Sequence, residues 1–370
     1  MHLSRLALDH FRSWDHLVLD LGPGVTILQG PNGLGKTNIV EAVEVLATGG
    51  SHRTSSSLPL VQRGQPAATI RANVTDGDRT VTYEATIRAK GANRARINGG
   101  PSLYMRQIVG DIPVVAFTPE DQAIVAGDPS ARRTFLNQAA CQLIPGYAQS
   151  LQQFTHVAKQ RAALLRQLAQ SDSFDAARDA ALSGLETWTG HYITLGLELT
   201  RARQRLIDRL QEPFSRLVQR LAGEDVRLQY EPSFTEVASD SPETAVSAHF
   251  QRLYAGEVAR GQNLIGPQRD DLAVLIDDVP AREFASNGQL WTLALALRMA
   301  VHELLSAMHG EPPIVILDDV FSQLDEARRA QILDFAQGQP QVLVTVAAAS
   351  DIPPLGDARV VDVAQLGGED

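Results

Sequence analysis

The sequence predicts an α/β fold interrupted by a helical insertion. Three observations predict it. A glycine-rich loop follows a short apolar strand near the N-terminus, an apolar strand ending in two aspartates lies near the C-terminus, and long helical patterns fill the middle of the 370 residues.

Taken in order, Leu3, Leu6 and Leu8, the segment 9–14, and the alternating apolar residues of 17–21 read as strand, turn and strand. After Gly22-Pro23-Gly24, a strand carrying Val25, Ile27 and Leu28 enters the glycine-rich loop. A helix over 38–47 follows, with Ile39, Val40, Val43 and Leu46 on one face and Gly49-Gly50 as its stop. Residues 67–98 alternate with period two, and Asp76-Gly77 supplies a hairpin turn. From 129 to 259 the texture is helical, as in 151–168 and 195–221. Strand texture returns at 273–276. It is followed by a helix over 288–308, a buried strand at 314–317, a helix over 326–335 and a last strand at 342–344 that closes the sheet. The expected plan is one α/β domain made from both chain ends, 1–128 and 260–370, with an antiparallel β subdomain and a helical lobe over 129–259.

Composition narrows the class. Hydrophobic residues at 44% and charged residues at 21% describe a soluble globular chain. No stretch approaches a membrane span, and Arg5, Asp9, His10, Arg12 and Asp15 interrupt any signal-like apolar run. The single cysteine, Cys141, rules out an intrachain disulfide and suits a reducing compartment, so a cytoplasmic protein is expected. The net charge of −10 argues mildly against nucleic-acid binding, although distribution matters more than the sum. Lysine occurs only at 36, 90 and 159, and every other cation is arginine.

The chemistry begins with Gly30-Pro31-Asn32-Gly33-Leu34-Gly35-Lys36-Thr37, which fits the P-loop pattern G-x-x-x-x-G-K-[ST]. Its glycines let backbone amides converge on phosphate oxygens, and the following helix adds its positive N-terminus. Lys36 is expected to reach the terminal phosphates of ATP and Thr37 to ligate Mg²⁺. Ile314-Val315-Ile316-Leu317-Asp318-Asp319 reads as a Walker B strand. It brings the metal ligand Asp318 to the sheet's edge beside the loop, with Asp319 one step on as candidate base for the attacking water. Lys36 and Asp318 stand near opposite ends of the chain, too far apart for a compact kinase or GTPase. Between them, Ser286-Asn287-Gly288-Gln289 opens a helix and makes a second anion-binding terminus. In ATP-binding-cassette ATPases such a terminus meets the P-loop across a dimer.

Further blocks recur in order: Phe11-Arg12-Ser13, Asn38 after the P-loop, 51–54 (SHRT), 117–121 (FTPED), 128–136 (DPSARRTFL), 159–161 (KQR), 266–271 (GPQRDD) and 318–325 (DDVFSQLD). With these the chain resembles the RecF family of bacterial recombination mediators over nearly its full length. That resemblance implies an ABC-type ATPase head related to SMC proteins. It implies ATP and Mg²⁺ as cofactors, held by residues 30–38 with Ser286 and Gly288 from a second subunit. Lys36 and Asp319 are the implied catalytic residues, and Thr37 and Asp318 the implied metal ligands. It further implies an ATP-dependent homodimer that clamps DNA at gapped duplexes and single-strand/double-strand junctions. RecR is the implied partner, with RecO and RecA in the pathway, no membrane is involved, and slow DNA-stimulated hydrolysis drives release near the nucleoid. The sequence departs from the family at Gln268, Gln323, Asn137 and Trp291, and 117–121 stands where ABC proteins place the Q-loop but lacks its glutamine.

Other readings compete with this one. A transporter subunit shares the P-loop, signature and Walker B but carries a histidine after the last strand, where this chain has Thr345 and no histidine beyond 309. A true SMC protein needs a longer insertion, and a scaffold that binds ATP with little hydrolysis keeps the same motifs. Arg88, Lys90, Arg94 and Arg96, in or beside a hairpin, are candidate DNA contacts. The arginines of 201–220 compete with the plainer reading of a solvated helix face. Arg132 and Arg133 are expected in ion pairs, Trp14 and Trp291 in packing, and His52, His156 and His191 as ordinary polar residues.

Overall fold

The computed structural model describes residues 1–54, 56–170, 176–348, 351–352 and 355–366. The chain opens with β1 (His2–Phe11) and β2 (Trp14–Asp20), paired antiparallel, and β3 (Gly24–Gln29) leads through the glycine loop into α1 (Lys36–Thr48). The strands β4 (Ala67–Asp76), β5 (Arg79–Arg88), β6 (Arg94–Ile97) and β7 (Leu103–Tyr104) extend the first sheet in the order β2-β1-β4-β5-β6-β7. Along β4 buried and more exposed residues alternate, as a sheet with one packed face requires. After β8 (Val114–Phe117) come α2 (Ala123–Ala126), α3 (Pro129–Leu143), α4 (Tyr147–Gln170) and the long α5 (Ala176–Ala222), which packs along α4.

The remaining elements are β9 (Val226–Glu231), α6 (Pro242–Arg260), β10 (Asp271–Ile276), β11 (Val279–Pro280), α7 (Ala281–Phe284), α8 (Asn287–His309), β12 (Ile314–Asp318), α9 (Glu326–Gln337), β13 (Gln341–Val346) and β14 (Arg359–Asp362). The second sheet is wholly parallel and runs β14-β3-β13-β12-β8. Every residue of β12 and β13 is buried, the pattern of a parallel sheet covered on both faces. One face packs on α1 and the antiparallel sheet, the other on α8, α5 and α3. Buried Gln341 stitches the two sheets together. Its side chain accepts from the Leu3 amide (2.8 Å) and donates to the Leu3 (2.8 Å) and Gly22 (2.9 Å) carbonyls.

Two expectations are corrected. Residues 129–259 are not helical throughout: β9 lies inside them and pairs antiparallel with β10. Its Val226, Leu228 and Tyr230 alternate with exposed residues, a period-two signal too short to stand out beside α5. The parallel sheet does not close at 342–344, because β14 adds a further strand on the outer side of β3. β12 lies between β13 and β8 and presents Asp318 at its C-terminal end, beside the glycine-rich loop as the sequence predicts. The helix α8 is long and apolar enough to cross a membrane, but it is mostly buried within the protein.

Candidate nucleotide-binding site

The loop between β3 and α1 is shaped by glycine. Gly33 and Gly35 adopt φ of 90° and 88°, in the left-handed region. At Gly35 a side chain is excluded twice over, because a Cβ would lie 2.7 Å from Ser13 Oγ and 2.8 Å from Trp14 Nε1. The Trp14 indole donates to the Gly35 carbonyl (3.1 Å), so this tryptophan packs directly under the loop. Pro31, Asn32, Gly33 and Leu34 are exposed at its tip, whereas Lys36 is buried. The Lys36 ammonium folds back onto the carbonyls of Gly30 (2.5 Å) and Pro31 (3.0 Å).

Asp318 is carried to the same place by β12. Thr37 Oγ1 donates to its Oδ1 (3.1 Å), joining the first turn of α1 to the strand. Thr345, opposite Asp318 in the register of β13, donates to the same oxygen at 2.6 Å and accepts from the Asp319 amide at 2.9 Å. Asp319 sits at φ 53°, where the chain leaves the strand. Burial lowers the Lys36 pKa, opposed by the charges of Asp319 and Asp318. Burial likewise raises the Asp318 pKa, opposed by the hydrogen bonds from Thr345 and Thr37. Cation and carboxylate are thus both held partly out of water, and a phosphate with a divalent cation would neutralise both.

The donor set fits Mg²⁺. Among the described residues no cluster of three or more His, Cys, Asp or Glu forms a cage. One carboxylate and one hydroxyl are hard oxygen donors of the partial kind that Mg²⁺ combines with water and substrate phosphates.

A second layer supports the loop. Arg12 takes a left-handed φ of 56° in the β1–β2 turn and grips buried Glu41 of α1 with two hydrogen bonds (2.9 and 2.5 Å). Glu41 also accepts from Ser51 (2.5 Å) and Arg53 (3.2 Å). The Asn38 side chain donates to Ser13 Oγ (2.8 Å) and accepts from Arg53 (3.0 Å), so its amide braces the turn. One turn further along α1, Glu44 binds His52 (2.7 Å) and accepts from Gln138 (2.7 Å).

Ser286 stands at the exposed N-terminus of α8. Its hydroxyl accepts from the Gln289 amide (3.3 Å), and the Gln289 side chain accepts from the Ser286 amide (2.8 Å) in a reciprocal cap. At Gly288 a Cβ would meet Arg328 Nη2 at 2.2 Å, so that guanidinium lies directly on the glycine. Among the described residues, no hydrogen bond or ion pair links Ser286 or Gly288 to the loop 30–37.

The 117–121 block ends β8, where Asp121 receives buried Arg298 of α8 (2.7 and 3.2 Å) and caps Thr118. Its carboxylate is engaged with the helix that begins at Ser286. The family-variant residues are built into the frame. Gln268 accepts from Tyr192 (2.7 Å), Asn137 accepts from Tyr147 (2.7 Å) and Arg203 (2.9 Å), and Trp291 is buried in the core. The side chain of Gln323 lies outside the described residues. Arg203 corrects the reading of 201–220 as one solvated face, since it is buried and paired with Asp270 (2.8 Å). Arg132 is likewise buried on Asp271 (2.6 and 2.7 Å). Sequence reasoning missed Thr345, noticing it only as the place of an absent histidine, and missed Glu41 and Arg328 altogether.

Comparison with known proteins identifies the family. Residues 2–352 match the family described as RecF/RecN/SMC N terminal domain. The chain is 66% identical over 371 residues to the DNA replication and repair protein RecF of Bifidobacterium adolescentis, covering 99% of this chain and 92% of that one. It is 41% identical to the RecF of Frankia alni, covering 95% of each. Among solved structures, the recombination mediator protein RecF with ATPrS, from the RecFOR pathway, superposes with a TM-score of 0.84 at 26% identity, covering 98% of this chain and 96% of that one. An SMC head domain from Pyrococcus furiosus shares the fold alone, with a TM-score of 0.51 at 16% identity over 98% of this chain and 94% of that one. Two strands of evidence, a site split between the chain's two ends and near full-length identity to proteins of that name, converge: the chain belongs to the RecF family of DNA replication and repair proteins, with an ABC/SMC-type ATPase fold.

Proposed function

We propose that this chain is an ATP-gated DNA clamp of recombinational gap repair. Two copies sandwich two ATP molecules, each nucleotide held by residues 30–38 with Asp318 of one copy and by Ser286 and Gly288 of the other. The observation that carries this reading is the division of the site, with Lys36, Thr37 and Asp318 gathered at one place and a capped, exposed helix terminus bearing Ser286 at another. In this reading 1–128 and 260–370 form the ATPase core and 129–259 a lobe set between them and joined to it by the β9–β10 pairing.

In this reading the loop amides and Lys36 hold the phosphates, and Lys36 exchanges its two loop carbonyls for phosphate oxygens. Thr37 and Asp318 hold Mg²⁺, which supplies charge neutralisation at the leaving phosphate. Asp319 orients or deprotonates the attacking water. Its amide is fixed by Thr345, so its position depends on the register of β13 (2.9 Å). Hydrolysis is slow and DNA-stimulated, and it times release. The relatives' name, DNA replication and repair protein, supports DNA as the ligand, and gapped duplexes and single-strand/double-strand junctions are the DNA forms this reading assigns to it. RecR is then the direct partner, RecO acts in the same pathway, and RecA loading in the cytoplasm, at the nucleoid, is the outcome.

Sedimentation tests the sandwich. With Mg²⁺ and a non-hydrolysable ATP analogue the chain dimerises at micromolar concentration, and Ser286→Arg blocks dimerisation while sparing nucleotide binding. A wild-type chain that stays monomeric with saturating analogue refutes the model. Phosphate release that is unchanged in Asp319→Asn would refute the role given to that residue and favour an ATP-binding scaffold.

A further inference from the structure

Between the β6–β7 end of the antiparallel sheet and α4 lies a cavity of about 520 Å³, floored by the C-terminal end of α1. A smaller one of about 250 Å³ continues along α4, sharing Thr155 and Lys159 and adding Arg166. Although the chain carries 43 acidic residues against 33 basic, no Asp or Glu is among the described residues lining either cavity. The contrast is local: another cavity, beside β9 and β10, is lined by Asp208, Asp225, Asp277 and Asp278.

The cations here are also unlike those in the rest of the fold. Arg12, Arg132, Arg203 and Arg298 each grip a carboxylate. Among the described residues, no ion pair engages Lys90, Arg94, Arg106, Lys159 or Arg166. Two of the chain's three lysines border this one cleft, Lys159 in its wall and Lys90 just before the lining residues Gly91 and Ala92. Arg106 is held in place by Gln152 (2.5 Å) and by the exposed Tyr104 ring, which also carries Arg94; their guanidinium carbons lie 4.1 and 4.0 Å from the ring centroid. Gln152, Thr155, Lys159, Ala162 and Arg166 recur along α4 at helical spacing, so they form one stripe, about 20 Å long at 1.5 Å per residue. That length matches about six base steps of one DNA strand at 3.4 Å each.

We propose that this acid-free cleft binds the phosphodiester backbone of DNA, with Arg106 and Lys159 as its central phosphate contacts. The inference rests on the DNA-clamp reading and adds the surface to it. Unpaired cations in a cleft without carboxylates focus a positive potential that the chain's net charge conceals. The pre-ordered Arg106 fork suits phosphate oxygens, and the Tyr104 ring holds Arg94 beside it as a second cation.

The test is a salt titration of DNA binding by the full chain with Mg²⁺ and ATP, using a labelled 30-base-pair duplex and, separately, a single strand of equal length. The double variant Arg106→Ala/Lys159→Ala should flatten the plot of log K against log salt by about 0.9 for each lost duplex contact and weaken binding on the order of tenfold per contact at 0.1 M NaCl. Lys90→Gln/Lys159→Gln, at two exposed positions, repeats the test without disturbing Tyr104. Mg²⁺–ATP affinity and analogue-driven dimerisation should be unchanged in both. Wild-type salt slopes in both double variants on both probes would overturn the proposal while leaving the clamp reading intact. Wild-type chain that binds neither probe would overturn both the surface and the DNA part of that reading. Loss of polyglutamate binding in the variants with DNA binding unchanged would assign the cleft to an acidic protein segment and also overturn the proposal.

Discussion

Replacing Thr345 by valine removes one hydroxyl from the floor of the nucleotide site and keeps the shape of the side chain. Thr345 is wholly buried, and its hydroxyl serves two masters at once: it donates to Asp318 Oδ1 at 2.6 Å and accepts from the Asp319 amide at 2.9 Å. A charge-assisted hydrogen bond to a buried carboxylate contributes about 1.5–3 kcal/mol, and the half-buried Asp319 amide loses this bond at a cost of about 1–2 kcal/mol. The extra buried methyl of valine returns about 1 kcal/mol. A net loss of about 2–4 kcal/mol in the stability of the nucleotide-free protein follows. The sign of its pH dependence also follows. Burial already holds the Asp318 carboxyl above the usual range, and the Thr345 bond opposes that shift. Without the bond the pKa rises further, so protonation of Asp318 relieves part of the loss as pH falls, and the difference between variant and wild type is largest at alkaline pH. Mg²⁺–ATP affinity drops in the same variant because the ionised carboxylate is harder to maintain, whereas Thr345→Ser, which keeps the hydroxyl, preserves that affinity. Urea unfolding at pH 6 and pH 8, with nucleotide titrations at both, reads these effects. Stability and Mg²⁺–ATP affinity both within about 0.5 kcal/mol of wild type at pH 8 would refute the role assigned to this hydroxyl.

Other outcomes follow from the same geometry. Arg203→Leu leaves Asp270 buried without its cation and should destabilise the fold by about 3–5 kcal/mol, read by urea unfolding. Gly35→Ala, at φ 88° and against Ser13 and Trp14, should abolish ATP binding in a nucleotide titration while the circular dichroism spectrum is retained. The His52 pKa is raised: burial would lower it, but the hydrogen bond and charge of Glu44 outweigh that effect. The stabilisation from this pair is therefore complete below the ordinary value of 6.5 and is lost as pH rises through the folded value, a slope in melting temperature that His52→Gln should remove.

The sequence made the motifs legible and left the contacts between them dark, for reasons visible in particular residues. Gly30–Thr37 and Ile314–Asp318 are local patterns, a turn that needs glycine and a strand buried on both faces, so each declares itself within ten residues. β9 did not, because six alternating residues after the 47-residue α5 carry too little signal. Arg203 was misplaced because a helical arginine every few residues looks like a solvated face until the partner, Asp270, arrives from a distant part of the chain. Thr345 is the clearest case. Nothing about a threonine after an apolar strand marks it, and its role comes entirely from register. β13 inserts between β3 and β12, placing Thr345 opposite Leu28 on one side and Asp318 on the other. A one-residue slip of β13 would turn the hydroxyl to the other face and take it away from both Asp318 and the Asp319 amide. The proposed metal ligand and the candidate base are therefore set by a strand that contains neither of them, which is why the geometry of the site depends on the C-terminal fifth of the chain as much as on the P-loop.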